Sequence, residues 1–457
     1  MQCESDVHIL WDASHIWGLM AWRALRALGV PTRLVTAKDI AEGALHGKPG
    51  REGGARLLLV PGGSAQRKAA LLGRAGRAAV RDFVRRGGNY LGFCGGAGLA
   101  LSHAREEQGL GLCPWTRAPY AQRFQHLISG HLLAAVSDAA TRTGNAPPLP
   151  RATISLPVWW PGRFAPGPGA VSTLATSIAP DADLWLADLP LAGVAPHVLE
   201  TWRVCYGVDL SPEVLAGQPL VICGSCGAGR YLLSYSHLET PESPAANAWL
   251  ADILRGLGAV APRAATVPAW HLESTGGETP APVPALVPAS VKDARDAAAT
   301  ARRARAGIAA LLDLGVEHHL FFRRTSWLWG WRAGLPGMAC NNLLAAFAEL
   351  EELARRADAA AAPHAALHRL WERVGPRFAE LTRLFAEGAE GWLMASRLAA
   401  TLAPSLPDAV DSRGLAHQRA ALFGHPMRGG GLAEELLQLA EDCLYTAQDL
   451  ADLPPRV

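Results

Sequence analysis

The stretch of this chain best suited to covalent chemistry is Asn89-Tyr90-Leu91-Gly92-Phe93-Cys94-Gly95-Gly96-Ala97-Gly98. A nucleophile held on a tight turn between a strand and a helix needs small neighbours. Its backbone is strained, and the helix must pack close to the sheet. Gly92, Gly95 and Gly96 meet that need, and the helix that follows points free N–H groups toward the sulfur, where they can hold a developing oxyanion. The same segment also fits a buried cysteine in a glycine-rich turn. A cysteine nucleophile works with an imidazole, and the imidazole with an orienting carboxylate. Ser236-His237-Leu238-Glu239 offers both directly after an apolar run, and Pro61-Gly62-Gly63 offers backbone N–H groups at the end of another.

Positioning these groups requires a particular order of elements. Val7 to Leu10, Arg33 to Val35, Leu57 to Val60 and Tyr90 to Phe93 read as short buried strands, separated by helices over Trp17 to Leu28 and Ala69 to Arg86. Strand, helix, strand in repetition implies a parallel sheet with helices on both faces, and sites in such sheets sit at the carboxyl ends of strands. Residues 117–217, rich in proline and tryptophan, are expected to form an insertion or a β-rich extension. Pro219 to Cys223 and Arg230 to Tyr235 read as a hairpin joined by the glycine-rich Gly224 to Gly229. An amphipathic helix with Trp249, Leu250, Ile253, Leu254 and Leu257 on one side follows.

The composition between Pro262 and Pro288 shifts to Pro, Ala, Thr and Gly, which reads as a linker. Three regions are therefore expected: an α/β domain over 1–262, a Pro/Ala-rich linker over 263–290 and an all-α helical bundle over 291–457. The bundle helices are read over Val291 to Leu314, Asn341 to Arg356, His364 to Leu402 with a break at Gly375-Pro376, and Leu432 to Leu450.

Composition narrows the function classes. The 43 Lys plus Arg against 41 Asp plus Glu leave a net charge of +2, which argues against a dedicated nucleic-acid binder. No run reaches the ~18 apolar residues that a membrane span needs, and the first twenty residues lack the pattern of a leader. The eight cysteines are scattered, as reduced thiols in a cytoplasm would be. Cys223-x-x-Cys226 has no second pair for zinc and reads as structural. Glu317-His318-His319 and the aromatic residues after it read as bundle packing or docking, and Gly73-Arg74-Ala75-Gly76-Arg77 as part of a helix.

The combination of Pro61-Gly62-Gly63, Gly92-Phe93-Cys94-Gly95-Gly96-Ala97-Gly98 and Ser236-His237-Leu238-Glu239-Thr240-Pro241 resembles the class I glutamine amidotransferase-like superfamily. Within it, the chain is more closely similar to the biotin-protein ligase N-terminal domain family, over roughly residues 5–258. Ser155 to Phe164 is similar to an aromatic and glycine segment of that family. The resemblance implies a flavodoxin-like fold, Cys94 as nucleophile, His237 as base and Glu239 as its orienter. Gly95, with Gly62 or Gly63, would donate the oxyanion-hole N–H groups. Two departures matter: Gly98 stands where glutaminases of the superfamily carry a glutamine, and no biotin ligase catalytic domain is visible.

Two functions follow as expectations. One is a cysteine hydrolase or acyl-transfer enzyme acting on a small polar substrate, without cofactor or metal. The other is a non-catalytic small-molecule-binding or regulatory module whose helical half recruits a protein partner.

Overall fold

The computed structural model describes residues 7–46, 54–120, 126–137, 153–207, 209–258, 262, 266–270, 296–360, 364–425 and 429–452. The chain divides into two compact units, 1–268 and 269–457.

In the first unit the alternation read from the sequence becomes β1 (Val7–Leu10), α1 (Ile16–Ala27), β2 (Thr32–Val35), α2 (Ala37–Ala41), β3 (Leu57–Val60), α3 (Ala65–Arg85), β4 (Asn89–Phe93) and α4 (Gly95–Ala100). The next strands are β5 (Thr116–Arg117), β6 (Ile128–Val136), β7 (Thr153–Trp159), β8 (Phe164–Ala165), β9 (Val171–Pro180), β10 (Trp185–Leu186) and β11 (Leu189–Pro190). Helix α5 (Pro196–Tyr206), the hairpin β12 (Pro219–Cys226) and β13 (Gly229–Ser234), and helix α6 (Pro244–Gly256) complete the unit.

Strands β2, β1, β3, β4 and β13 run side by side and parallel. That is the flavodoxin-like order, with β13 as the fifth parallel strand. Every residue of β1 and β3 is buried. Because successive strand residues face opposite sides, complete burial means that both faces of the sheet are covered. The sheet is not parallel throughout, however. From β12 it continues antiparallel through β9, β6, β7, β10 and β11 to give eleven strands. Within the proline- and tryptophan-rich region 117–217, the described strands β6, β7, β9, β10 and β11 thus form a β extension of the same sheet.

Two local readings are corrected. The glycine-rich connection of the hairpin is shorter than expected, because Gly224 and Cys226 belong to β12 and pair with Tyr231 and Gly229. Helix α3 begins at Ala65, where the Ser64 hydroxyl accepts from the Arg67 N–H at 3.3 Å, and it is interrupted at Gly73, whose φ is +58°. A serine before a helical run is an N-cap signal.

The second unit is helical, with α7 (Ala297–Glu317), α8 (Gly337–Ala359), α9 (Ala365–Leu402), α10 (Ser412–Phe423) and α11 (Gly431–Thr446). Helix α9 runs unbroken through Pro376, against the expected break. An internal proline costs about 3 kcal/mol; buried Trp371, Phe378, Leu381 and Phe385 on the same helix offset it. Between α7 and α8 the aromatic segment after His319 forms a hairpin, β14 (Phe321–Arg323) with β15 (Trp329–Trp331). The expected linker lies mostly outside the described residues. Its described part packs: Val267 is buried and exchanges hydrogen bonds with Glu242 and Asn247, and the Trp270 indole N–H donates to the Trp327 carbonyl at 3.0 Å.

The glycines around Cys94 differ in what they demand. A Cβ at Gly96 would collide with the Val60 carbonyl, whereas one at Gly98 would only touch the Ala65 methyl at 3.6 Å. Gly96→Ala is therefore expected to destabilise the first unit by about 2 kcal/mol or more. Gly98→Ala is expected to be neutral or stabilising by up to about 1 kcal/mol. Urea titration of both variants checks the contrast.

Candidate functional site

Three loops meet at the carboxyl ends of β3, β4 and β13. Cys94 occupies the turn from β4 into α4 with φ +45° and ψ −101°, a conformation that non-glycine residues rarely adopt. Two backbone hydrogen bonds hold it there: its N–H donates to the Ser234 carbonyl at 2.7 Å, and its carbonyl accepts from Gly98 N–H at 2.9 Å. The buried Tyr90 hydroxyl braces the turn by donating to the Gly96 carbonyl at 2.7 Å. Cys94 itself is half-buried. Its thiol lies 3.9 Å from the Trp159 carbonyl, to which it donates.

The Pro61–Gly63 loop presses directly against this turn. A Cβ at Gly95 would overlap the Gly63 carbonyl, and one at Gly62 would sit 2.7 Å from the His237 ring. Gly62, Gly63 and Gly95 are thus gathered between Cys94 and His237. Gly63 has φ +102° and lies against the Ala13 carbonyl. The loop carrying Ala13 follows β1 and is tied down by Lys68, which is fully buried and donates to the Asp12 carbonyl at 3.0 Å and to the Ser14 hydroxyl.

His237 and Glu239 follow β13 and are both completely buried. The ring Nδ1 lies 2.7 Å from a Glu239 carboxylate oxygen. The His237 N–H donates to the Pro157 carbonyl at 2.9 Å, and its own carbonyl accepts from the Thr240 hydroxyl at 2.7 Å. Asn247 on α6 fixes the same loop by donating to the Leu238 and Thr240 carbonyls, each at 2.9 Å. The opposite ring atom, Nε2, is buried without a hydrogen-bond partner. Burial alone would lower the pKa of this imidazole, but the Glu239 carboxylate and the nearby Cys94 outweigh it and raise the pKa to about 10.

An aromatic wall encloses the ring. Trp17 stacks on His237 with centroids 4.5 Å apart, and Trp159 and Trp160 lie 6.4 and 5.9 Å from Trp17. Trp17 belongs to a helix legible in the sequence, but helical spacing alone does not separate a site wall from core. A second histidine network sits nearby in the β extension: His131 Nδ1 lies 2.7 Å from Asp183, and its Nε2 lies 3.0 Å from the Ser243 hydroxyl. Ser243 is buried and directs its own proton to the Pro241 carbonyl, so this network ties the loop after Glu239 to β6.

A cavity of about 460 Å³ lies elsewhere in the first unit, lined by residues that include Ser172, Cys223 and Arg230; Cys94, His237 and Glu239 do not line it. Cys223 and Cys226 are free thiols on β12. Among the described residues no group of three or more His, Cys, Asp and Glu is arranged to hold a metal ion, and no helix is long and apolar enough to cross a membrane.

None of the curated proteins matches the chain. Among solved structures it is similar to a glutamine amidotransferase, at 17% identity and a TM-score of 0.35, over 55% of this chain and 99% of that one. A Thermoplasma acidophilum protein described as a GMP synthase component is 15% identical, with a TM-score of 0.33 over 56% and 94%. A ThuA-like protein from Bacteroides uniformis is 14% identical, with a TM-score of 0.32 over 55% and 89%. His237 and Glu239 lie beyond the segment that a family model covers. Residues 24–110, which include Gly62, Gly63, Cys94 and Gly95, match the family model described as biotin-protein ligase, N terminal, the same family that the sequence motifs resemble.

Proposed function

We propose that the first unit is a cysteine-dependent hydrolase or acyl-transfer enzyme acting on a small polar substrate. The observation that carries this reading is the pairing of a strained, half-buried Cys94 with a fully buried His237–Glu239 pair on the adjacent strand end. In the proposed reaction the Cys94 proton is already held on His237 Nε2, and the sulfur forms a bond to the acyl carbon. The N–H groups of Gly95 and of Gly62 or Gly63 hold the oxyanion. His237 then gives its proton to the leaving amine or alcohol as the bond to the acyl carbon breaks. Water or an acceptor nucleophile opens the thioester, and its proton returns through His237. Glu239 orients the ring throughout.

A second reading keeps the fold and the site without turnover, with the helical unit recruiting a protein partner. Gly98, in the position where related glutaminases carry a glutamine, favours it. The two readings separate when the purified chain is incubated with a panel of amides and thioesters and followed by intact mass. The enzyme reading predicts an acyl adduct, or product, that Cys94→Ala abolishes. Stabilisation by a ligand that is equal in wild type and Cys94→Ala, with no adduct or product, would favour the binding module instead.

The His237–Glu239 pair also sets a pH dependence. The folded-state pKa of His237 is raised above the ordinary value of about 6.5, so its contribution to stability is full below about pH 6.5. It declines as pH rises toward about 10. The stability difference between wild type and His237→Gln, measured by urea titration, is expected to shrink from pH 6 toward pH 10. A difference that stays constant or grows over that range contradicts the charged pair.

A further inference from the structure

The segment Trp159–Phe164 starts at Cys94, and the side chains it carries and meets are rich in hydrogen-bond donors. Its first carbonyl accepts from the thiol. Gly162 lies flat on the Tyr235 ring, which a Cβ there would overlap, and Phe164 packs on the same ring with centroids 4.3 Å apart. Tyr235 directly follows Ser234, whose carbonyl anchors the Cys94 N–H, so its position relative to the nucleophile is fixed. Arg163 places its guanidinium 4.4 Å over the Tyr120 ring and donates to the Pro119 carbonyl. Arg117 stands on β5, paired with Phe164 of β8.

Three polar atoms of this cluster are buried without a partner: the Tyr120 hydroxyl, the Tyr235 hydroxyl and Arg163 Nε. Tyr235 is only 2% exposed. Burial raises the pKa of both phenols and outweighs the lowering by the nearby arginines, so both remain O–H donors. Leaving a buried donor unmatched costs about 1–3 kcal/mol, and three of them in one cluster with a guanidinium describe a site prepared for an acceptor. The cation excludes another donor and favours an anion, for which a planar carboxylate matches the Arg163 edge.

Resting on the proposed role of Cys94, we propose that Tyr120, Arg163 and Tyr235 form an anion subsite that holds a carboxylate of the acyl substrate beside the nucleophile. The substrate class is then an amide or ester that carries a carboxylate on its acyl part, close to the carbonyl that Cys94 attacks.

Two alkylating reagents of nearly equal size test it on the full-length chain. Iodoacetate carries the carboxylate and iodoacetamide does not. In each case Sγ bonds to the reagent's methylene carbon, iodide leaves, and the proton of Cys94 stays on His237. The rate ratio of iodoacetate to iodoacetamide at Cys94, read by peptide mass spectrometry, is expected to exceed that of a free thiol such as glutathione by at least about tenfold. Arg163→Gln and Tyr235→Phe are each expected to lower the ratio toward the free-thiol value. Tyr235→Phe keeps the ring packing and carries the test should Arg163→Gln fail to fold. A wild-type ratio equal to that of glutathione, or one unchanged in both variants, overturns the subsite and leaves the triad standing. Failure of both reagents to label Cys94 overturns the catalytic reading and the subsite with it.

Discussion

The site depends on a contact between two stretches of backbone with no side chain between them. Gly95 and Gly96 begin α4 against the carbonyls of Gly63 and Val60, at a separation that no Cβ could share. This lets the ends of two neighbouring parallel strands close on one another, and it forces Cys94 into its left-handed turn. Strain of that kind costs of the order of 1–3 kcal/mol and persists only where its surroundings over-determine it. Here they do, through the Ser234 carbonyl, the Gly98 N–H and the Tyr90 hydroxyl. The same closeness brings Gly62 onto the His237 ring, so Cys94, the loop and the imidazole are positioned together.

The two halves of the sheet divide the work. The parallel half supplies Cys94, the glycine loop and the strand that leads to His237 and Glu239. The antiparallel extension supplies what surrounds them: the Trp159 carbonyl at the thiol and the Pro157 carbonyl that fixes the His237 backbone, and the segment after it adds Arg163 over Tyr120 and Phe164 against Tyr235. His131 and Ser243 bind the extension to the loop after Glu239. Under the proposed function, changes in the extension would therefore alter recognition first, while changes in the glycines would alter the fold.

The sequence made the parallel half legible because its strands are short, apolar and closed by glycine or proline. β1 and β3 fall where the apolar runs do, and the glycines around Cys94 name their own crowded positions. Cys94 and His237 stand out as candidates because each ends an apolar run. What was not legible depends on contacts distant in sequence. The partnerless hydroxyls of Tyr120 and Tyr235 look like ordinary aromatic residues until Arg163 and Cys94 are brought to them. Buried Lys68 gives no local signal, since its partners Asp12 and Ser14 lie on another strand's loop. The unbroken α9 shows packing overriding the propensity of Pro376, and the eleven-stranded extent of the sheet lies in the pairing of strands that short apolar runs alone do not order.

The central claim is that Cys94 and His237 act as one electrostatic unit, with Glu239 behind the ring. The pH titration of the His237 ring nitrogens by NMR, in wild type and in Cys94→Ala, tests it most directly. The account predicts an imidazolium that persists well above pH 6.5 in the wild type, and a lower pKa once the cysteine is removed. A His237 ring that is neutral at pH 7 in the wild type, or one that titrates identically in both proteins, would contradict it.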